Sequence, residues 1–101
     1  MLRQELVSET ETLLVVSGPL YGQAAEEFEK KLESMFGGTF TTITLDLSMA
    51  VGITSPVIGR LVSVQKRLVA QNRSIRIRGC SEVLLNTFRK IKLDTLIPIE
   101  T

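Results

Sequence analysis

A chain of 101 residues with Lys+Arg 12, Asp+Glu 11 and a formal net charge of +1 has room for one hydrophobic core, and it lacks the basic excess needed to neutralise a run of backbone phosphates. No apolar stretch approaches the roughly 20 residues that span a bilayer. With no histidine and a single cysteine, Cys80, there is no disulfide framework, no metal-ligand spacing and no neutral-pH base.

In chain order, Leu2 to Val7 reads as a short strand and Ser8 to Thr12 as a polar turn. Leu13 to Ser17 is a β-rich run that Gly18-Pro19 is expected to end. From Gln23 the period becomes helical: Ala25, Phe28, Leu32 and Met35 or Phe36 fall on one face, with glutamates and lysines on the others. Gly37-Gly38 should stop this helix, glycine being suited to the left-handed conformation past a C-terminus.

Ile43, Leu45 and Leu47 alternate with Thr42, Thr44 and Asp46, which predicts a strand with one buried face. After Thr54-Ser55-Pro56 the period changes again. A hydroxyl before a proline marks a helix start, with Ser55 or Thr54 as cap and Pro56 in the first turn. The helix should run from Pro56 to about Gln71, burying Val57, Leu61, Val64 and Leu68, and end at Gln71-Asn72. Ser74 to Gly79 alternates as a strand, and Arg73, Arg76 and Arg78 form a local basic patch beside it. Ser81 is an N-cap for a third helix carrying Leu84, Phe88 and Ile91, which ends near Lys92 to Asp94. Leu96 to Ile99 makes a short last strand, with Pro98 implying an edge. The order ββαβαβα, with a final β, predicts one α/β domain over residues 1–101: a mixed, mostly parallel sheet packed by helices and joined by right-handed crossovers.

The chemistry is sparse. Asp46 and Asp94 stand alone, neither Ser55 nor Cys80 has a histidine beside it in the sequence, and Gly52 and Gly59 lack the spacing and lysine of a phosphate loop. The residues therefore point to no catalytic group, metal or cofactor. Cys80 reads as a small, partly buried thiol, and the arginine strand as a solvated face. Ser55 carries two readings. As a cap it would contribute about 1 kcal/mol; as an exposed hydroxyl at a helix N-terminus it is a place where a phosphoryl group is electrostatically tolerated.

Leu13 to Gly22, Leu45-Asp46-Leu47-Ser48, Gly52 to Leu61 and Ile75 to Gly79 together resemble the STAS domain of anti-sigma-factor antagonists, a likeness covering nearly the whole chain. In that family an Asp-Ser-Ser-Gly sequence opens the helix after the Leu-Asp-Leu-Ser strand, and its first serine is phosphorylated. Thr54-Ser55-Pro56-Val57 occupies those places, so the resemblance implies Ser55 as phosphoacceptor, with Thr54 a second hydroxyl. Thr54, Pro56 and Val57 depart from the pattern. A partner surface is expected at the Gly18 to Gly22 loop, with Gly18, Leu20, Tyr21 and Gly22, and at Gly52, Ile53, Pro56, Val57 and Arg60.

The resemblance implies a non-enzymatic signalling protein that binds an anti-sigma factor or a Ser/Thr protein kinase and is reset by a phosphatase, with no nucleic-acid partner and no direct membrane insertion; a homodimer is allowed. The alternative is a constitutive scaffold or accessory subunit, stressosome-like or lipid-transporter-associated, without a phosphorylation cycle. The N-terminal residues show no charged segment followed by an apolar run, so a cytoplasmic protein is expected.

Overall fold

A computed structural model describes residues 2–100; the ends of the expected 1–101 domain, Met1 and Thr101, lie outside the described residues. The alternating and helical periods fold into β1 (Leu2–Leu6), β2 (Glu11–Leu20), α1 (Gly22–Phe36), β3 (Thr42–Ile53), α2 (Ser55–Val69), β4 (Ser74–Cys80), α3 (Glu82–Lys90), a 3-10 turn (Leu93–Thr95) and β5 (Ile99–Glu100). The strands lie in the order β1-β2-β3-β4-β5. A tight turn joins β1 to β2, where the Ser8 hydroxyl accepts from the Thr10 and Glu11 N–H groups, so this pair is antiparallel. Every later connection contains a helix or a turn that returns the chain, and those pairs are parallel.

Register turns the sequence alternation into a core. Leu14 pairs with Leu45 and Leu45 with Ile77, placing three fully buried side chains in one row across the sheet. On the same face Ala25, Phe28, Leu32 and Met35 of α1, Val57, Leu61, Val64 and Leu68 of α2, and Leu84 and Phe88 of α3 join a single apolar cluster. The opposite parity carries Arg3, Glu5, Asp46, Arg76 and Arg78.

Several expectations are corrected. β2 does not stop at Gly18-Pro19 but continues to Leu20. β3 offers pairing that far, and register shifts between Val15 and Ser17 and between Gly18 and Pro19, with Gly18 at φ +89°, absorb the two breakers. α1 is not closed by a left-handed glycine, since Gly37 is helical at φ −71°. Arg73 closes it instead: its guanidinium donates to the carbonyls of Phe36 (2.9 Å), Gly38 (3.1 Å) and Phe40 (2.6 Å). Arg73 is thus a clamp, not part of a free basic patch. Arg76 pairs with Glu100, and Arg78 lies 3.6 Å from Asp46. Ile91 falls beyond the end of α3 and is exposed, because Lys92 turns left-handed at φ +61°. α2 ends at Val69, and the last strand begins only at Ile99.

Candidate partner-binding face at the start of the second helix

β3 outruns its neighbour. Its last partner in β4 is Cys80, opposite Leu47, whereas it stays paired with β2 as far as Leu20 opposite Ile53. Beyond Leu47 the two strands therefore form a ribbon, and period two sends Ala50 inward while Met49 and Val51 point out, 65% and 73% exposed. Tyr21, at the end of the paired strand, is 56% exposed. Its ring lies over Gly52, where an added Cβ would meet Tyr21 Cε2 at 3.8 Å. The face is uncharged and apolar.

The ribbon delivers the chain to α2. Thr54 is the N-cap residue, extended at φ −106° and ψ 159°, and its carbonyl accepts from Ile58 N–H at 3.1 Å. Its side chain makes no cap hydrogen bond. Ser55 is the first helical residue and exposed, and its hydroxyl has no hydrogen-bond partner among the described residues. The expected side-chain cap at Thr54 or Ser55 is therefore not formed. Ser81 shows the contrast at α3, where its hydroxyl accepts from Leu84 N–H at 3.4 Å. Pro56 occupies the first turn, where an N–H is not needed, and no acidic residue lies there. The orphan N–H groups leave that end electropositive.

Of the residues expected on the face, Gly18, Tyr21, Gly22, Gly52, Ile53, Thr54, Ser55 and Pro56 come together through the β2–β3 register and the start of α2. Leu20 and Val57 are both 1% exposed; they anchor the face from beneath and do not line it. Arg60 reaches sideways to Glu33 on α1 at 3.3 Å. Met49 and Val51 were not among the expected residues. Their signal is the alternation around Ala50, hidden because the inward positions are odd up to Leu47 and even at Ala50, across the register shift where β3 advances from Asp46 to Met49 against Val15 to Ser17 of β2.

At the branch point the Leu45-Asp46-Leu47-Ser48 motif is tied down locally. Asp46 Oδ1 accepts from the Ser48 N–H at 3.0 Å and the Ser48 hydroxyl at 2.7 Å. Burial pushes the Asp46 carboxyl up, but the Ser48 bonds and the Arg78 guanidinium together outweigh it and hold the group below its ordinary value. Gly79, at φ +76°, is required here, since a Cβ would stand 3.2 Å from Asp46 Oδ1 and 3.3 Å from Ser48 Cβ. Cys80 is half-buried, and burial pushes its thiol up, away from the reactive thiolate. Among the described residues no three His, Cys, Asp or Glu side chains gather as metal ligands, and no helix is long and apolar enough to cross a membrane.

A small α/β domain with a mixed sheet, whose exposed serine opens the helix after the longest strand, has the architecture of a STAS domain. The STAS family model matches residues 4–101, and the chain belongs to the STAS family. Among solved structures it is similar to the unphosphorylated anti-sigma factor antagonist SpoIIAA, with TM-score 0.82 and 20% identity over 100% of this chain and 89% of that one. The phosphorylated form of SpoIIAA, described as a Bacillus cell fate determinant, gives TM-score 0.77 and 19% identity over 100% and 92% of the two chains. An anti-sigma factor antagonist from Mycobacterium paratuberculosis gives TM-score 0.87 and 15% identity over 99% and 84%. At these identities the likeness concerns the fold. Comparison with curated proteins gives no significant match.

Proposed function

We propose that this chain is a non-enzymatic, cytoplasmic switch protein that binds an anti-sigma factor or a Ser/Thr protein kinase through the face around Ser55, and that phosphorylation of Ser55 releases the partner. The observation that carries the reading is the state of the Ser55 hydroxyl: exposed, without a hydrogen-bond partner among the described residues, and just past the end of the β3 segment that carries exposed Met49 and Val51. A capping serine would have its oxygen occupied; this one is open to a kinase.

The mechanism is electrostatic. An apolar face docks by burying apolar area, and a phosphoryl group on Ser55 at its edge brings about 1.5 to 2 negative charges to it. In a closed interface that charge has to be desolvated, so the partner leaves without any refolding of the domain. Thr54, half-buried beside it, is the second hydroxyl in reach. A phosphatase would restore the binding form.

The test is incubation with a purified anti-sigma-type kinase and ATP, followed by intact mass and by titration of the partner. Wild type should gain the mass of one phosphoryl group, Ser55→Ala should gain none, Thr54→Val should behave as wild type, and Ser55→Asp should bind about tenfold or more weakly. Undiminished binding by Ser55→Asp sinks the switch. Binding without any mass gain points to constitutive docking.

A further inference from the structure

The two edges of the sheet are finished differently. On the β4 side the main chain is closed off: Gln65 Oε1 accepts from Ile75 N–H at 2.7 Å, the Pro98 carbonyl accepts from Ile77 N–H at 2.9 Å, and β5 is only 2 residues long. A short edge strand, a proline and a capping side chain all discourage further pairing. Among the described residues β1 is the outermost strand on the other side. It pairs with β2 in unbroken register, from Leu2 opposite Val16 to Leu6 opposite Thr12, and carries neither proline nor bulge.

The bonds that β1 makes to β2 show which of its main-chain groups face outward. The Glu5 carbonyl accepts from the Thr12 hydroxyl at 3.3 Å, and Val7 N–H donates to the Glu11 carbonyl at 3.0 Å. The odd positions thus bond toward β2, and alternation turns the N–H and carbonyl groups of Leu2, Gln4 and Leu6 away from the sheet. The side chains alternate as well. Leu2, Gln4 and Leu6 share the face of Leu14 and Val16, where Leu2 packs against the core and Leu6 is 75% exposed. Arg3 and Glu5 stand on the opposite face, exposed and 3.5 Å apart.

We propose that β1 pairs antiparallel with β1 of a second copy of this chain, about a two-fold axis at Gln4, so that the two sheets join into one. The strand Leu2-Arg3-Gln4-Glu5-Leu6 reads alike from either end apart from the sign of its charges. Reversal about Gln4 sets Leu2 against Leu6, Gln4 against Gln4, and Arg3 against Glu5 of the second copy. The outward groups of Leu2, Gln4 and Leu6 then exchange main-chain hydrogen bonds, and the Arg3 and Glu5 pairs fall at the non-hydrogen-bonded positions, where side chains stand closest. Charge fixes the register. The smallest slip that keeps these main-chain groups facing one another places Arg3 opposite Arg3 or Glu5 opposite Glu5, which is repulsive. Leu6, in solvent in a single copy, comes to lie beside Leu2 at the edge of the other copy's core. The pairing is isologous and closes as a dimer. Because the joined strands run in opposite directions, the two Ser55 faces, each near the C-terminal end of β2, lie at opposite ends of the joined sheet. The pairing does not depend on phosphorylation of Ser55.

One strand pair buries less than a standard interface, so the dimer should be weak and vary with concentration. The test is sedimentation equilibrium of the full chain from roughly 10 µM to 1 mM. Wild type should pass from the mass of one copy to that of two and no further. Arg3→Glu and Glu5→Arg each bring like charges together across the axis, and each alone should weaken association about tenfold or more. Their equimolar mixture should associate as wild type does, because each variant then meets its opposite charge, and the chain carrying both changes should dimerise by itself. A single copy at every concentration overturns the proposal and leaves the edge to another protein's strand. Association of the single variants equal to wild type overturns it too, as do a mixture that fails to recover and a mass that grows beyond two copies.

Discussion

At the start of α2, Thr54 and Ser55 carry hydroxyls with no cap bond, and Tyr21, Met49 and Val51 stand exposed on the β2–β3 ribbon that leads there. In the last turns of the same helix and just past it, several polar groups are committed. Arg73 holds the carbonyls that follow α1, its guanidinium and that of Arg67 lie 5.5 and 4.5 Å from the Phe36 ring centroid, and Gln65 ties α2 to β4 and to the segment before β5. One end is built to hold the domain together and the other is left open to something outside it. Stability and binding should therefore respond to substitutions at opposite ends.

The largest break in that contrast is Arg73→Ala. It strips several carbonyls at the end of α1 of a charged donor and removes a cation over Phe36, which should cost about 2 to 3 kcal/mol. For a domain of this size the melting temperature should fall by roughly 10 to 20 °C, while partner affinity measured below the transition stays at the wild-type value. Next comes Gln65→Leu. The buried Ile75 N–H loses its acceptor, and urea unfolding should show a loss of about 1.5 kcal/mol.

How far these roles were legible in the sequence follows from their range. The strands and the apolar stripes of α1 and α2 are local patterns, and Leu45, Ile77, Phe28 and Leu61 are buried where period two and the helical period place them. Arg73 acts on carbonyls 33 to 38 residues away, and no local pattern separates such a clamp from a solvated arginine. Gln65 was hidden in the same way, as one polar residue on an amphipathic helix. At the open end Ser55 was legible because a hydroxyl before proline marks a helix start, but its freedom from capping was not, since that depends on the angle at which Thr54 enters the helix.

Smaller effects sharpen the comparison. Ser81 is a formed cap, so Ser81→Ala should cost about 1 kcal/mol in denaturant titration. Asp46 should show a lesser, pH-dependent contribution, because burial works against the Ser48 and Arg78 interactions. Its carboxyl sits lower in the folded chain than in the unfolded one. Folding is thus favoured while it is ionised, with the full contribution present above the unfolded value near 3.9 and lost as pH falls through the folded one. Wild type minus Asp46→Asn stability, followed from pH 7 downward, should stay level to about pH 4 and then shrink.

The smallest expected effect on stability is the most informative about function. Ser55 and Ser81 both stand at helix starts, and both would count as caps by position alone. In the fold only Ser81 bonds a helix N–H; Ser55 is already inside the first turn with its hydroxyl in solvent. Ser55→Ala should therefore change unfolding free energy by less than about 0.5 kcal/mol, against about 1 kcal/mol for Ser81→Ala, when the two are measured side by side. A loss at Ser55 equal to that at Ser81 would mean that the serine is held as a cap in solution, and the hydroxyl would no longer be available to a kinase. A null result with phosphorylation abolished would separate the serine's regulatory role from any structural one.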